Sequence, residues 1–264
     1  MKIIPEYGIV AFFDILGYRN LILNNKIETT ASIALEIINK IPLFVRSYVL
    51  TAIPRADAQE IASDILNHMS WRMFSDTIFN CLSLEKDGIK ALNIMKWGIF
   101  LASCLSLQRY SFDEGLPLRG AISTGYYFLK DNCFIGQPVI EAYDLCQEQD
   151  WAGGALTEKT GRELNHILGK TQAKKAAYNI DNFLSLYPVP MKDGRNVTLL
   201  CFRWGGARNL LSIPPLFDYK GSEGLNEYVA GRFQAHSKGS PSNLKSKIDN
   251  TKKFLQFIKS TYNP

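Results

Sequence analysis

Apolar residues change their period several times along this chain. Residues 9–13 (Ile-Val-Ala-Phe-Phe) form an unbroken run rich in β-branched and aromatic side chains, with Gly17 just beyond, which predicts a buried strand ending at a sharp corner. From 19 to 66 the spacing becomes helical, clearest in "TASIALEIINKIPLFVRSYVL", with Pro42 and Pro54 predicting breaks. "HMSWRMFSDTIFNCLSL" then carries two short apolar runs around Ser75-Asp76, the pattern of a hairpin with a polar tip. "IKALNIMKWGIFLASCLSLQRYSF" is long and apolar enough for a buried helix. "LPLRGAISTGYYFLKDNCFIG" returns to strand, with Gly120 and Gly125 at bulges or close approaches. "QPVIEAYDLCQEQD" reads as a helix with Pro138 in its first turn, "AGGALT" as a short strand and "TEKTGREL" as the start of another helix. This alternation predicts an α/β or α+β sheet with helices packed on it and argues against a bundle or a sandwich. From 205 the pattern fades. That part is expected to be peripheral, with a flexible link around 237–250 before a terminal helix.

Composition narrows the function classes. At 264 residues and 46% hydrophobic, the chain supports one large core, a catalytic-size domain with an extension. It has no apolar run of membrane-spanning length, and Lys2 is followed by Pro5 and Glu6 where a leader would be apolar, so a cytoplasmic protein without a membrane partner is expected. Cys81, Cys104, Cys133, Cys146 and Cys201 are scattered, which predicts thiols, mostly in the core, and no disulfide framework or structural zinc. His68, His166 and His236 form no ligand set. The net charge of +5 lies partly in the tail without interleaved aromatics, so nucleic acid is not the expected partner.

Three charged residues need an explanation. Asp14 follows the first strand, and a carboxylate there is unfavourable unless it is paired, caps the next helix or coordinates a cation. Asp76, at the hairpin tip, suits a polar turn equally well. Arg119 stands in a strand beside Gly120, an odd place for an arginine unless it forms a surface ion pair.

Together, "FFDILGYRNL", "FSDTIFNCL", "LPLRGAISTG" and "FIGQPVIEAYDL…GGALTEKT" stand in the order and rough spacing of the class III nucleotidyl cyclase domain, which residues 8–165 resemble. The resemblance implies an α+β fold, a ferredoxin-like βαββαβ core with extra helices. Residues 1–204 would form the catalytic domain and 205–264 a C-terminal extension with a terminal helix. It implies that Asp14 and Asp76, with the backbone carbonyl of Ile15, hold two divalent cations, Mg²⁺ or Mn²⁺. One cation would lower the pKa of a ribose 3′-hydroxyl and the pair would clamp the triphosphate for in-line attack on the α-phosphorus, releasing a 3′,5′-cyclic nucleotide and pyrophosphate. Arg119 matches a family arginine that binds the triphosphate. Leu16, Gly17 and Tyr18 match the loop whose amides cradle phosphates.

The chain departs from the purine cyclases at the residues that select the base. They carry lysine and aspartate, or glutamate and cysteine, where this chain has Arg72 and Cys133. The helix that offers an asparagine to the ribose and an arginine to the transition state has Ile140 and Asp144 instead. Either the domain is inactive or this half of the site has been rebuilt. With "PVPMKDG" and the strand "VTLLCFRW" after the core, the chain resembles the pyrimidine cyclases of bacterial Pycsar anti-phage systems, which make cyclic UMP or cyclic CMP to switch on a separate effector protein. That resemblance implies UTP as substrate, with CTP as the alternative, a homodimer with composite sites, and Lys192 as a further triphosphate-neutralising residue, although a lysine in a turn is most often a solvated one.

Overall fold

The computed structural model of the chain describes residues 4–51, 56–85, 90–131, 133–169, 180–206, 222–235 and 244–261. Strand β1 (Glu6–Ile15) is followed by helices α1 (Tyr18–Asn24), α2 (Ile27–Thr51) and α3 (Ala56–His68), and then by the hairpin β2 (Ser70–Phe74) and β3 (Thr77–Ser83). Next come α4 (Lys90–Asp113), the long β4 (Leu118–Lys130), β5 (Cys133–Gly136) and α5 (Gln137–Glu148). After them follow β6 (Gly154–Leu156), α6 (Glu158–Gly169), β7 (Leu184–Pro190), β8 (Asn196–Phe202), α7 (Ser222–Gln234) and α8 (Leu244–Ser260).

The sheet runs in the order β2-β3-β1-β4-β6-β8-β7, with β5 on β4. Its first four strands are antiparallel neighbours, and β1 reaches β2, as β3 reaches β4, through helices that skip one strand. This is the split βαββαβ arrangement expected above. Strand alternation divides the two faces of β1. Ile9, Ala11, Phe13 and Ile15 pack with Val45, Val49, Trp97 and Leu101 of the α2–α4 layer in the main core. Phe12 points the other way, into a small cluster with Ala121, Ala142 and Cys146 under α5. Asp14, two residues on, shares that side.

Gly120 allows this packing, because a Cβ there would lie 2.4 Å from the Phe13 ring. Cys81, Cys104, Cys146 and Cys201 are buried thiols and Cys133 is exposed, as expected.

Three expectations change. Pro42 does not break the helix: α2 runs through it. Proline in a helix interior costs about 3 kcal/mol, but Val45 and Val49 beyond it are buried, and a continuous apolar face outweighs one lost ladder bond. The second predicted break, Pro54, lies outside the described residues. The link read at 237–250 is already helix from Leu244, its first part being outside the described residues. Nor is α8 peripheral. Phe254 is fully buried, its ring 4.6 Å from that of Trp151 and 4.9 Å from that of Tyr187, and Thr251 accepts a bond from the Ala152 amide at 2.8 Å. No helix among the described residues is long and apolar enough to cross a membrane.

Candidate active site

Asp14 is the penultimate residue of β1. Its neighbours across the sheet are Arg119 on β4 and Thr77 on β3. Gly17 then turns the chain with φ 84° into α1, and the left-handed Ser75 (φ 56°) turns the β2–β3 hairpin so that Asp76 sits beside the end of β1. The Ile15 amide donates to the Asp76 carbonyl at 2.9 Å, which ties the two carboxylate-bearing corners together.

Both residues line one open groove of about 810 Å³, in the size range of small-ligand sites. Ile15, Leu16, Gly17 and Tyr18 form one rim, and Arg119, Tyr143, Gln147 and Lys192 face them. Sequence reasoning therefore chose residues that the fold does bring together: Asp14, Ile15, Leu16, Gly17, Tyr18, Asp76, Arg119 and Lys192. Arg72 and Cys133 do not line this groove. Arg72 is exposed on edge strand β2, donating to the Trp71 carbonyl at 2.8 Å, and Cys133 is exposed on β5.

Arg119 is the most constrained cation of the site. Its Nε and Nη2 both approach Oδ2 of Asp14, at 2.8 and 2.7 Å. Nη2 also donates to Gln147 Oε1 at 2.5 Å, and Nη1 to the carbonyls of Gln147 and Gln149 at 3.3 Å. It thus satisfies carbonyls at the C-terminal end of α5, where the helix dipole favours a cation. The side chains of Arg119 and Asp14 are only 8% and 11% exposed. A surface ion pair is excluded by that burial, and Asp14 bonds to a side chain, not to the helix as a cap.

Burial pushes the Asp14 carboxyl above its ordinary pKa, and Arg119 opposes that without cancelling it. Asp76 adds a further upward push and Lys192 a downward one. The ammonium of Lys192 is held below its usual range by desolvation first, then by Arg119 and Lys247. Its backbone amide donates to the Glu148 carbonyl at 2.8 Å, which fixes the β7–β8 turn against the end of α5.

Two expected features are altered. The Leu16 amide already donates to the Pro117 carbonyl at 2.9 Å and does not contribute to a phosphate cradle. On α5, Ile140 and Asp144 are exposed, and the side chains facing the groove are Tyr143 and Gln147. Tyr143 packs edge-on against Phe12 with ring centroids 5.2 Å apart.

The sequence reading missed Gln147, Gln149 and the groove wall built by the C-terminal helices, Phe233 of α7 with Leu244 and Lys247 of α8. One signal was available. Leu244, Ile248, Thr251, Phe254, Leu255 and Ile258 form the buried stripe of α8, and Lys247 is the one charge within it.

Two carboxylates and a carbonyl-bearing strand end are hard oxygen donors of the kind Mg²⁺ or Mn²⁺ takes. Both Arg119 contacts fall on Oδ2, so Oδ1 of Asp14 is not taken by Arg119. Among the described residues no cluster of three or more acidic, histidine or cysteine side chains could hold a metal, so any cation here would also need ligands from its substrate or water.

No protein-family model matches the chain, and no curated protein does. Solved structures similar to it include the adenylyl cyclase CyaB from P. aeruginosa, 15% identical over 76% of this chain and 95% of that one, with a TM-score of 0.42. A class III adenylyl cyclase-like ATP-binding protein from Pseudomonas aeruginosa is 13% identical over 66% of this chain and 37% of that one, TM-score 0.42. The catalytic core of a rhodopsin-guanylyl cyclase with converted specificity, in complex with ATPαS, is 9% identical over 76% and 98%, TM-score 0.44. Similarity at this level assigns neither substrate nor residue roles to this chain.

Proposed function

We propose that this chain is a class III-type nucleotidyl cyclase that converts UTP to 3′,5′-cyclic UMP and pyrophosphate, with CTP as the nearest alternative substrate. The observation that carries the reading is the convergence of Asp14 and Asp76 on one groove. They come from a strand end and an adjacent hairpin tip of a split βαββαβ sheet, and cationic side chains face them. That pairing of hard oxygen donors with cations suits a polyphosphate carried with Mg²⁺ or Mn²⁺.

When bound, the two cations supply activation of the ribose 3′-hydroxyl and neutralisation of the triphosphate. The chain's own residues set the stage. Arg119 orients Asp14 and favours its ionised form against the pull of burial. Asp76 is held by the Ile15-to-Asp76 backbone bond, and Lys192 offers its charge from the β7–β8 turn. Arg119 acts here through Asp14, since its three nitrogens all have acceptors within the protein.

Base selection comes from a second copy of the chain. Arg72 and Cys133 lie outside the groove of their own chain and exposed, as residues that serve a partner's site must be. Exposed Phe74, Ile135, Ile140 and Tyr143 give such a homodimer apolar surface to bury. The role of the product as an antiviral second messenger in the cytoplasm, read by a separate effector, rests on the resemblance of "PVPMKDG" and "VTLLCFRW" alone.

A second reading, a nucleotide-binding module without catalysis, is favoured by Ile140 and Asp144 standing exposed on α5 and by the full engagement of Arg119. Incubation with each of the four NTPs and Mn²⁺, followed by mass identification of products, separates the two. Cyclic UMP as the main product is expected. Binding without any cyclic product establishes the module, and cyclic AMP as the main product refutes the base assignment.

A further inference from the structure

The four residues from Gln147 to Asp150 hold three basic residues at one end of the groove, Arg119 and Lys247 through their side chains and Lys192 through its backbone. Gln147 and Gln149 accept from Arg119, the Glu148 carbonyl accepts from the Lys192 amide, and Asp150 Oδ1 accepts from Lys247 Nζ at 2.9 Å. Asp150 is itself anchored twice more, its amide donating to the Pro190 carbonyl at 2.9 Å and its own carbonyl accepting from Asn250 Nδ2 at 2.9 Å. Lys247 is buried yet lines the groove with Lys192. The charges do not balance. Asp14 compensates Arg119 and Asp150 compensates Lys247, while the ammonium of Lys192 is held down by desolvation first and then by both neighbouring cations, with Asp14 opposing them.

Burying a lysine in the apolar stripe of a helix is unfavourable, and an anchor for α8 would be better served by a leucine. A cation kept dehydrated beside a second one is instead what an anion site requires. We propose that Lys247, carried in from the C-terminal helix α8 and oriented by Asp150, is an anion-binding residue that with Lys192 takes the distal phosphates of a bound polyphosphate. The site is therefore incomplete without α8. This rests on reading the groove as a triphosphate site, but not on turnover.

The test uses the full chain and inorganic triphosphate, a probe with neither base nor ribose, titrated by calorimetry in the presence of Mn²⁺. Four variants are compared. Lys247→Gln keeps a hydrogen bond to Asp150 without the charge, Lys247→Met removes both, Lys247→Arg keeps the charge, and Asp150→Asn releases the lysine from its carboxylate. Expected are a tenfold or greater loss of affinity in Lys247→Gln and Lys247→Met, affinity within threefold of wild type in Lys247→Arg, and affinity equal to or above wild type in Asp150→Asn. Melting temperature should nevertheless fall in Asp150→Asn as it does in Lys247→Met, because each breaks the same pair.

A structural pair would behave otherwise. If Asp150→Asn and Lys247→Gln weaken binding alike, in step with their melting temperatures, or if Lys247→Gln binds like wild type, the proposal is overturned; it is overturned too if the wild-type chain binds no triphosphate. Turnover is scored separately. Lys247-dependent binding with no cyclic product from any NTP sinks the cyclase reading and leaves the anion site standing, whereas cyclisation indifferent to Lys247→Gln sinks this inference and leaves the cyclase.

Discussion

Replacing Arg119 by methionine tests how the floor of the groove is held together. Two of its nitrogens meet one Asp14 oxygen at 2.8 and 2.7 Å, with side chains 8% and 11% exposed. An exposed ion pair contributes about 0–1 kcal/mol, whereas losing one partner of a buried pair costs about 3–5 kcal/mol because a charge is left without compensation. The burial places this pair in the second class, so Arg119→Met should lose about 3–5 kcal/mol near neutral pH. The loss should depend on pH with a definite sign. Asp14 is already raised above 3.8 because burial outweighs Arg119, and without Arg119 it rises further. An acid whose folded-state pKa is raised binds more protons folded than unfolded, so its penalty is absent below the unfolded value and grows as pH rises through the folded one. Urea unfolding of metal-free wild type and Arg119→Met, from about pH 4 to about pH 7, should show the gap widening with pH. The double variant Asp14→Asn/Arg119→Met should recover at least about 2 kcal/mol relative to the sum of the singles. A gap under about 1 kcal/mol at neutral pH, or one that does not change with pH, would refute the argument.

Asp14→Asn or Asp76→Asn should abolish cyclisation in Mn²⁺; melting temperature should fall in Asp14→Asn, which leaves buried Arg119 without its counter-charge, and change little in Asp76→Asn; product formation by mass spectrometry decides, and wild-type turnover in either variant removes that residue from the metal site. Arg72→Ala should lower kcat/KM for UTP roughly ten- to a hundredfold, and mixing it with Asp14→Asn should restore activity through the one lesion-free site of the heterodimer, while activity no higher than the sum of the separate variants would argue for sites within one chain. Phe254→Ala, which empties the contact between α8 and Trp151, should destabilise the chain by about 3–5 kcal/mol in denaturant unfolding; a loss under about 1 kcal/mol would mean that α8 is not packed as described.

Local patterning determined much of this protein by itself. The run 9–13, the helical period within 19–66 and the hairpin around Ser75-Asp76 specified the type of their elements because side-chain period follows backbone geometry, and the order of those elements admits few sheet topologies. Asp14, Asp76 and Arg119 were legible as charges placed where packing does not ask for them. Their meeting was not. Arg119 lies 105 residues from Asp14, and only the β1–β4 register sets the two opposite one another. Burial then decided which partner each charge takes. Pro42 stayed inside a helix, Arg119 turned to the carbonyls that end α5, and a lysine on the buried stripe of α8 reached Asp150, 97 residues earlier. Propensity is a sum over neighbours in sequence, whereas desolvation and ion pairing depend on neighbours in space, and those exist only once the sheet has formed and α8 has packed against Trp151 and Tyr187.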